Sequence, residues 1–296
     1  MDDVALPDQL KDLHCVKASD PNCREQIEDS LHHQLERLGI ERREVQEKER
    51  IYWSYEIKHE EWDGIPGYEV ELQFINFSSD MYPNVSEITD YIRGDLLASL
   101  FEHRTTRFFP SPDLFNYGQV KFARTNTHDA HCSEPSIQGK VISVLYTIYW
   151  YGAGAAHPNQ YFKSYVFLLD PIIKVDSLES IFKDPVNAFE EVQRLARERL
   201  KEISLNDSEA DDATLDDDWI QRGTLTWEHF RAFIFRADAI EILFEPYQVA
   251  AYAYGPQSVK IPYEKLISMM DPVYISALEL EFLKYKNYSV TQLNGT

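Results

Sequence analysis

The sequence predicts an α+β protein with mostly antiparallel sheets, helices packed on one face, and two α/β subdomains. Aromatic residues make up 13% of the chain, with 18 Tyr and 16 Phe, a content typical of folded, sheet-rich proteins. Several runs alternate apolar and polar residues at period two, and helical segments with apolar residues three or four apart lie among them. At 296 residues, the chain is long enough for one large domain or two ordinary ones.

We predict three regions along the chain. Residues 1–49 form an N-terminal helical segment, residues 50–125 a small α/β subdomain, and residues 126–296 a C-terminal domain. The first region carries apolar residues at helical spacing, namely Ile27, Leu31, Leu35 and Leu38. A loop-rich stretch with prolines, Phe108–Asn126, marks the seam between the second and third regions.

Two strands and one helix are predicted in the small subdomain. The strands are Ile51–Ile57 and Tyr68–Phe77, on either side of a Gly-Pro turn. Ser86 is the expected N-cap of the helix. The helix carries apolar residues at a spacing of four, namely Ile88, Ile92, Leu96 and Leu100.

The strongest pattern of the chain lies in Val141–Asp170. A first strand places apolar side chains on one face and mainly hydroxyl side chains on the other. A loop rich in glycine and alanine follows from Gly152, and a second β-rich run extends from Tyr161 to Leu169. We predict a wide antiparallel hairpin whose loop is exposed at one end of a sheet.

Further elements are predicted downstream of this hairpin. Asp184 caps a helix with Pro185 at its first position, and Phe189, Val192, Leu195 and Leu200 line the buried side of that helix. The acidic stretch Leu205–Asp218 reads as an exposed loop. The remaining predicted elements are a hairpin of Phe230–Phe235 and Ala239–Phe244, strands over Tyr247–Tyr254 and Gln257–Ile261, and helices over Tyr263–Met270 and Val273–Tyr285.

The charge of the chain limits its partners. Its net charge is −21, from 50 acidic and 29 basic residues, so we expect no nucleic-acid partner, because binding to phosphates requires a cationic face. A basic protein partner fits this charge, since complementary potentials steer encounter. A second interpretation, that acidity only keeps the protein soluble, stays equally open here.

The residues alone do not determine the cellular compartment of the protein or the oxidation state of its cysteines. No window approaches the roughly 18 apolar residues of a membrane helix, so no transmembrane segment is predicted. The acidic start of the chain lacks a secretory pattern, which leaves either a cytoplasmic protein or one whose signal was removed. Cys15 and Cys23 flank a polar turn and form either a disulfide or two free thiols, and Cys132 is left over.

Motifs for metal binding and catalysis are weak. His128-Asp129-Ala130-His131-Cys132 offers nitrogen and sulfur donors, but no second cluster completes a zinc site, and we interpret the run as a polar loop. The acidic stretch lacks the spacing of an EF-hand loop. We find no nucleophile or phosphate-binding motif, and we expect no catalytic residue, no metal and no cofactor.

The central hairpin also carries a family resemblance. Three segments occur in the family's order over about residues 140–270: Tyr151-Gly152-Ala153-Gly154-Ala155-Ala156-His157-Pro158-Asn159, the later Leu178-Glu179-Ser180-Ile181-Phe182, and Phe244-Glu245-Pro246-Tyr247-Gln248-Val249. Together they resemble the C-terminal domain shared by the RsiV anti-sigma factor and the PdaC peptidoglycan deacetylase. One departure is Gly154-Ala155-Ala156-His157, where that family usually has Gly-Gly-Ala-His. The region with Tyr82-Pro83 is similar to the small α/β domain that precedes it in relatives.

This resemblance implies recognition of a protein, because the RsiV region binds lysozyme and blocks its cleft. We therefore expect a non-enzymatic inhibitor of a peptidoglycan-acting enzyme, a lysozyme-like muramidase or a delivered toxin, with a role as an immunity protein in the latter case. The alternative is a carbohydrate-active enzyme or a peptidoglycan-glycan-binding module. The expected location is the periplasm or cell envelope, with the cytoplasm as alternative. The candidate binding residues lie on the hairpin loop and its strand ends, namely Tyr151, Gly152, Gly154, His157, Asn159 and Tyr161.

Overall fold

The computed structural model describes residues 51–64, 66–107, 121–206, 216–281 and 283. The chain divides into two compact units, Met1–Arg50 and Ile51–Thr296, and all described residues belong to the second. The predicted N-terminal helical segment, the Cys15–Cys23 pair and the acidic residues 207–215 lie outside the described residues. The disulfide and the three-region division therefore stay predictions.

In the described residues, one large sheet contains seven strands in the order β1-β2-β3-β5-β6-β7, and β4 pairs with β5. All these pairs are antiparallel except β2 with β3. The strands are β1 Ile51–Trp62, β2 Gly67–Ser79, β3 Thr125–Cys132, β4 Ser136–Gln138, β5 Val141–Tyr151, β6 Asn159–Leu168 and β7 Ile173–Lys174. β5 and β6 form the predicted hairpin, with Trp150 opposite Asn159 at its loop end.

One long helix, α1 (Ser86–Arg107), covers one face of the large sheet. Its four predicted core residues are at most 2% exposed and pack against the alternating apolar side chains of β2 and β5. Burying each such side chain contributes about 1.5–3 kcal/mol, so this face is one of the main sources of stability. A short helix, α2 (Lys121–Arg124), leads into β3.

A second layer is built on a small sheet of three strands in the described part of the chain, in the order β10-β9-β8. The strands are β8 Ala232–Phe235, β9 Ala239–Phe244 and β10 Gln257–Pro262. The longest of the helices on this sheet, α3, packs its apolar side onto the same core. The helices are α3 Pro185–Asn206, α4 Asp217–Arg222, α5 Tyr263–Leu266 and α6 Pro272–Ala277.

Two serine hydroxyls join the two sheets. β8 is an edge strand, and its backbone N–H groups at Phe235 and Phe233 donate to Ser143 Oγ on β5 and Ser164 Oγ on β6, each at 3.1 Å. The hydroxyl face predicted for β5 is therefore covered in its first half by the small sheet. This contact supplies partners for amides that an uncovered edge would leave to water.

The α+β class with mostly antiparallel sheets is confirmed, as are α1, α3 with its Asp184 cap, and the β8–β9 hairpin. No described helix has an apolar stretch long enough to cross a membrane.

Four predictions of local structure are wrong. The run His128–Cys132 belongs to strand β3, because its alternate side chains Asn126, His128 and Ala130 are buried on the α1 face. Tyr247–Tyr254 forms turns and a 3-10 helix, not a strand, since Tyr247 has a positive φ of 68° that extended pairing does not allow. Ser86 is helical and not an N-cap, because a 3-10 turn precedes it. The predicted helix Val273–Tyr285 is interrupted after Ala277, because residues 278–279 form a turn in which Glu279 has a positive φ of 57°.

Candidate functional site

The hairpin loop between β5 and β6 is held in place by side-chain hydrogen bonds. Tyr151 is only 5% exposed, and its hydroxyl donates to Ala155 O at 3.0 Å. The buried Asn126 accepts from Ala153 N at 2.8 Å and donates to Gly67 O, which ties the loop to β2. A loop fixed in this way loses little conformational entropy when it binds a partner.

Pro158 anchors the far side of the loop. Its carbonyl oxygen accepts from the Tyr252 hydroxyl at 2.8 Å and lies 2.8 Å from His157 Nδ1. Because a carbonyl only accepts, Nδ1 of His157 donates this hydrogen bond. The rings of His157 and Tyr252 lie 4.3 Å apart with an interplanar angle of 30°.

These two rings begin a continuous row of side chains, which we call the aromatic ladder: His157, Tyr252, Tyr247, Trp219 and Arg222. Tyr252 lies 5.3 Å from Tyr247, and Tyr247 stacks on Trp219 at 6.5 Å. The guanidinium of Arg222 lies over the Trp219 ring at 5.6 Å. The ladder thus connects three segments that are far apart in sequence: the hairpin loop, helix α4, and the turns between β9 and β10.

Tyr247 has an uncommon backbone conformation. Its φ of 68° is a strained value for a bulky residue, and its side chain is still 51% exposed. The neighbouring Gln248 holds the turn, because its amide donates to Gly223 O and His229 O and accepts from Glu245 N. A Cβ at Gly223 would lie 2.1 Å from Gln248 O, so only glycine allows this turn to pack against the end of α4.

The Trp219 end of the ladder is acidic. Asp216, Asp217 and Asp218 come directly before Trp219 and are all exposed. Asp216 caps α4 by accepting from Asp218 N, and Asp217 pairs with Lys201. Exposed carboxylates beside an aromatic row form a surface that attracts lysine and arginine side chains.

The structure brings only part of the predicted binding set to the ladder. His157 is one of its members, and Gly154, at a φ of 83°, forms the loop turn beside Gly152. Asn159 is half-buried at the start of β6.

The two predicted tyrosines stabilise the fold and do not belong to the ladder. Tyr151 is buried and braces the loop. Tyr161 packs against the core under α1, with its hydroxyl 3.3 Å from Ser99 Oγ. Neither lies among the rings of the ladder.

Four ladder residues were missed in the sequence analysis, namely Trp219, Arg222, Tyr247 and Tyr252. Tyr247 and Tyr252 lie in a tyrosine-rich run that period-two reasoning assigned to a strand, and Trp219 follows the acidic stretch. The sequence carried two signals of this site, a lone Trp after the acidic stretch and a Pro-Tyr pair. Only the fold reveals that they meet.

The predicted histidine–cysteine run makes no metal site in the described residues, where no three His, Cys, Asp or Glu side chains form a group that could hold an ion. Strand geometry explains this, because His128 and Cys132 lie on the opposite face of β3 from His131. Burial raises the pKa of the free Cys132 thiol to about 12, so it stays protonated.

Residues 179–264 match the model of a family described as a protein of unknown function, DUF3298. This segment includes Trp219, Tyr247 and Tyr252 but not the hairpin loop. No curated protein sequence matches the chain.

Solved structures also match this chain, and two of them come from the DUF3298 family. A member of the DUF3298 family from Bacteroides fragilis NCTC 9343 is 15% identical with a TM-score of 0.49, over 79% of this chain and 99% of that one. A DUF3298 family protein from Pseudomonas aeruginosa PAO1 is 14% identical with a TM-score of 0.49, over 76% of this chain and 96% of that one.

Proposed function

We propose that this chain is a non-enzymatic binding protein that captures and inhibits a basic, peptidoglycan-acting enzyme of the lysozyme type. The capture surface is the aromatic ladder together with the hairpin loop. Its role is that of an inhibitor, or of an immunity protein where the enzyme is a delivered toxin. The place of action is the periplasm or cell envelope.

The aromatic ladder is the observation that carries this proposal. Rigid aromatic side chains supply most of the binding energy at protein interfaces, at a low cost in conformational entropy. Tyr247 is half exposed although its backbone is strained, and Gln248 and Gly223 hold it there. Strain that neighbouring groups maintain at a surface residue is typical of a functional position.

Charge supports a basic partner. The aspartates before Trp219 and the net charge of −21 favour encounter with a cationic protein. Lysine or arginine side chains of the partner would pair with the exposed carboxylates of Asp216 and Asp218, and their apolar stems would pack beside the half-exposed Tyr247.

The class of enzyme rests on the resemblance to the RsiV-type domain. Matches to that pattern lie both in the hairpin loop and in the Phe-x-Pro-Tyr segment, and Tyr252 connects them by packing against His157 and Tyr247. A convergence of the matched segments on one surface is the arrangement that a shared recognition site would require.

The proposal is tested by titrating the purified protein into a basic C-type lysozyme that digests peptidoglycan. We expect dose-dependent inhibition, and we expect Tyr247→Ala to weaken binding by about ten- to thirty-fold, the loss typical of a central aromatic anchor. Calorimetry gives the affinity, and the melting temperature of the variant shows that the fold is retained.

Tyr52→Ala is the matched control, because Tyr52 on β1 is 49% exposed and lies outside the ladder. It should bind as the unsubstituted protein does. Equal loss in both variants, or no loss in Tyr247→Ala, would exclude the ladder as the contact. Release of sugar fragments from peptidoglycan by the protein alone would instead support the carbohydrate-active alternative.

A further inference from the structure

A pocket of about 400 Å³ lies where the large sheet meets the β8–β9 turn, and we call it the Trp53 pocket. One wall is the indole of Trp53 on the edge strand β1, which is 38% exposed. Pro135, just before β4, and Ile137, within β4, add apolar surface. None of its lining residues belongs to the aromatic ladder, so the two sites are separate in sequence and in contacts.

Hydrogen-bond donors and acceptors also line the pocket. Glu134 supplies a carboxylate, and Gln138 donates through Nε2 to Ser136 Oγ at 3.3 Å, which leaves its amide oxygen as an acceptor. Arg236 also lines the pocket. Its Nε donates at 2.6 Å to Glu241, which is only 9% exposed, so a buried carboxylate fixes the guanidinium plane and offsets its charge.

This combination defines the chemistry of the ligand. An anion would meet the carboxylate of Glu134 and an arginine whose charge is already neutralised, so a phosphate or nucleotide is disfavoured. A sugar ring has one apolar face and an edge of hydroxyl groups that both donate and accept. The indole matches the apolar face, and the carboxylate, amide and guanidinium groups match the hydroxyls.

A second exposed aromatic ring lies on β1 next to the pocket. Tyr55 lies two residues from Trp53 on the same strand face, about 7 Å away by strand geometry, and is 39% exposed. Its hydroxyl lies 3.5 Å from Ser133 O, on the segment that leads to Glu134. A second ring therefore stands next to the pocket.

We propose that the Trp53 pocket binds a neutral oligosaccharide, with one pyranose ring stacked on Trp53 and the next on Tyr55. Glu134, Gln138 and Arg236 bind the hydroxyl edge of the first ring. This site is independent of the capture surface, and it gives the protein a second ligand of a different chemical class.

The test is a titration of the purified chain with three neutral trisaccharides, built of N-acetylglucosamine, β-linked glucose or α-linked glucose. Calorimetry and two-dimensional NMR of the indole N–H groups are recorded up to about 10 mM, well above the millimolar Kd of a weak sugar site. We expect at least one trisaccharide to shift the Trp53 signal. Saturation by none of the three would overturn the proposal.

Trp53→Ala should weaken that binding at least tenfold, whereas Trp53→Phe should keep part of it. Trp62→Ala is the matched control, because Trp62 lies on the other face of the same strand and is 54% exposed. Unchanged binding in Trp53→Ala, or an equal loss in Trp62→Ala, would contradict the assignment. The capture of lysozyme should be unaffected by Trp53→Ala, so this site and the ladder can fail or succeed separately.

Discussion

His128 shows how a single buried residue makes stability depend on pH. The side chain is 2% exposed on the α1 face of β3, and its Nδ1 is buried without a hydrogen-bond partner among the described residues. Burial first, and then the positive charge of the nearby His103, Lys163 and Arg104, together lower its pKa from 6.5 to about 4. The ring of His103 lies 4.7 Å away, so protonation of His128 would place a charge in a site that offers no compensation.

The folded state should therefore lose stability in acid. The pKa of His128 is lower in the folded than in the unfolded chain, so its contribution is fully present above about pH 6.5 and is lost as pH falls toward 4. Between pH 7 and 5, this one group should lower the free energy of unfolding by on the order of 2 kcal/mol. Denaturant titrations at the two pH values measure the difference.

His128→Gln should reduce that pH dependence, because glutamine does not titrate. His131→Gln provides the comparison, since His131 is exposed on the opposite face of the same strand. If both variants and the unsubstituted chain show the same pH dependence, then groups other than His128 cause the loss of stability in acid.

Contacts between whole elements explain how the two sheets stay in register. The edge strand β8 directs alternate amides, those of Phe233 and Phe235, at the face of the β5–β6 hairpin. Ser143 is 1% exposed, so its hydroxyl replaces water as the partner of a buried N–H group. The same hairpin carries the hairpin loop at its far end, and the docking of the small sheet therefore helps to position that loop.

Ser143→Ala should lower the free energy of unfolding by about 1–3 kcal/mol, because it leaves the Phe235 amide buried without a partner. Chemical denaturation measures this change. Ser276→Ala, an exposed position in α6, is the control and should be nearly neutral. A Ser143→Ala variant as stable as the control would mean that water or a local shift supplies the missing acceptor.

The elements differ in how well the sequence predicted them. The β5–β6 hairpin, α1 and α3 were predictable, because long apolar patterns of one period dominate each of them. β3 was not, because its buried positions carry Asn126 and His128, whose burial depends on partners elsewhere in the chain. The ladder was beyond local reasoning, since its rings come from segments that meet only through tertiary packing.

At the scale of the whole molecule, charge and aromatic surface have different roles in the proposed capture. The net charge of −21 acts over a range of about 10 Å at ordinary ionic strength and steers a basic partner toward the protein. The stacked rings of the ladder act only in contact. Association should therefore depend on charge, and the lifetime of the complex on the rings.

Salt separates these two contributions. Raising ionic strength from about 50 to 300 mM should slow association with a basic lysozyme by roughly tenfold or more, because screening shortens the reach of the acidic surface. The dissociation rate should change far less. Tyr247→Ala should show the opposite pattern, with faster dissociation and an association rate whose salt dependence is unchanged. Stopped-flow fluorescence measures both rates, and an association rate that does not respond to salt would remove charge from the capture mechanism.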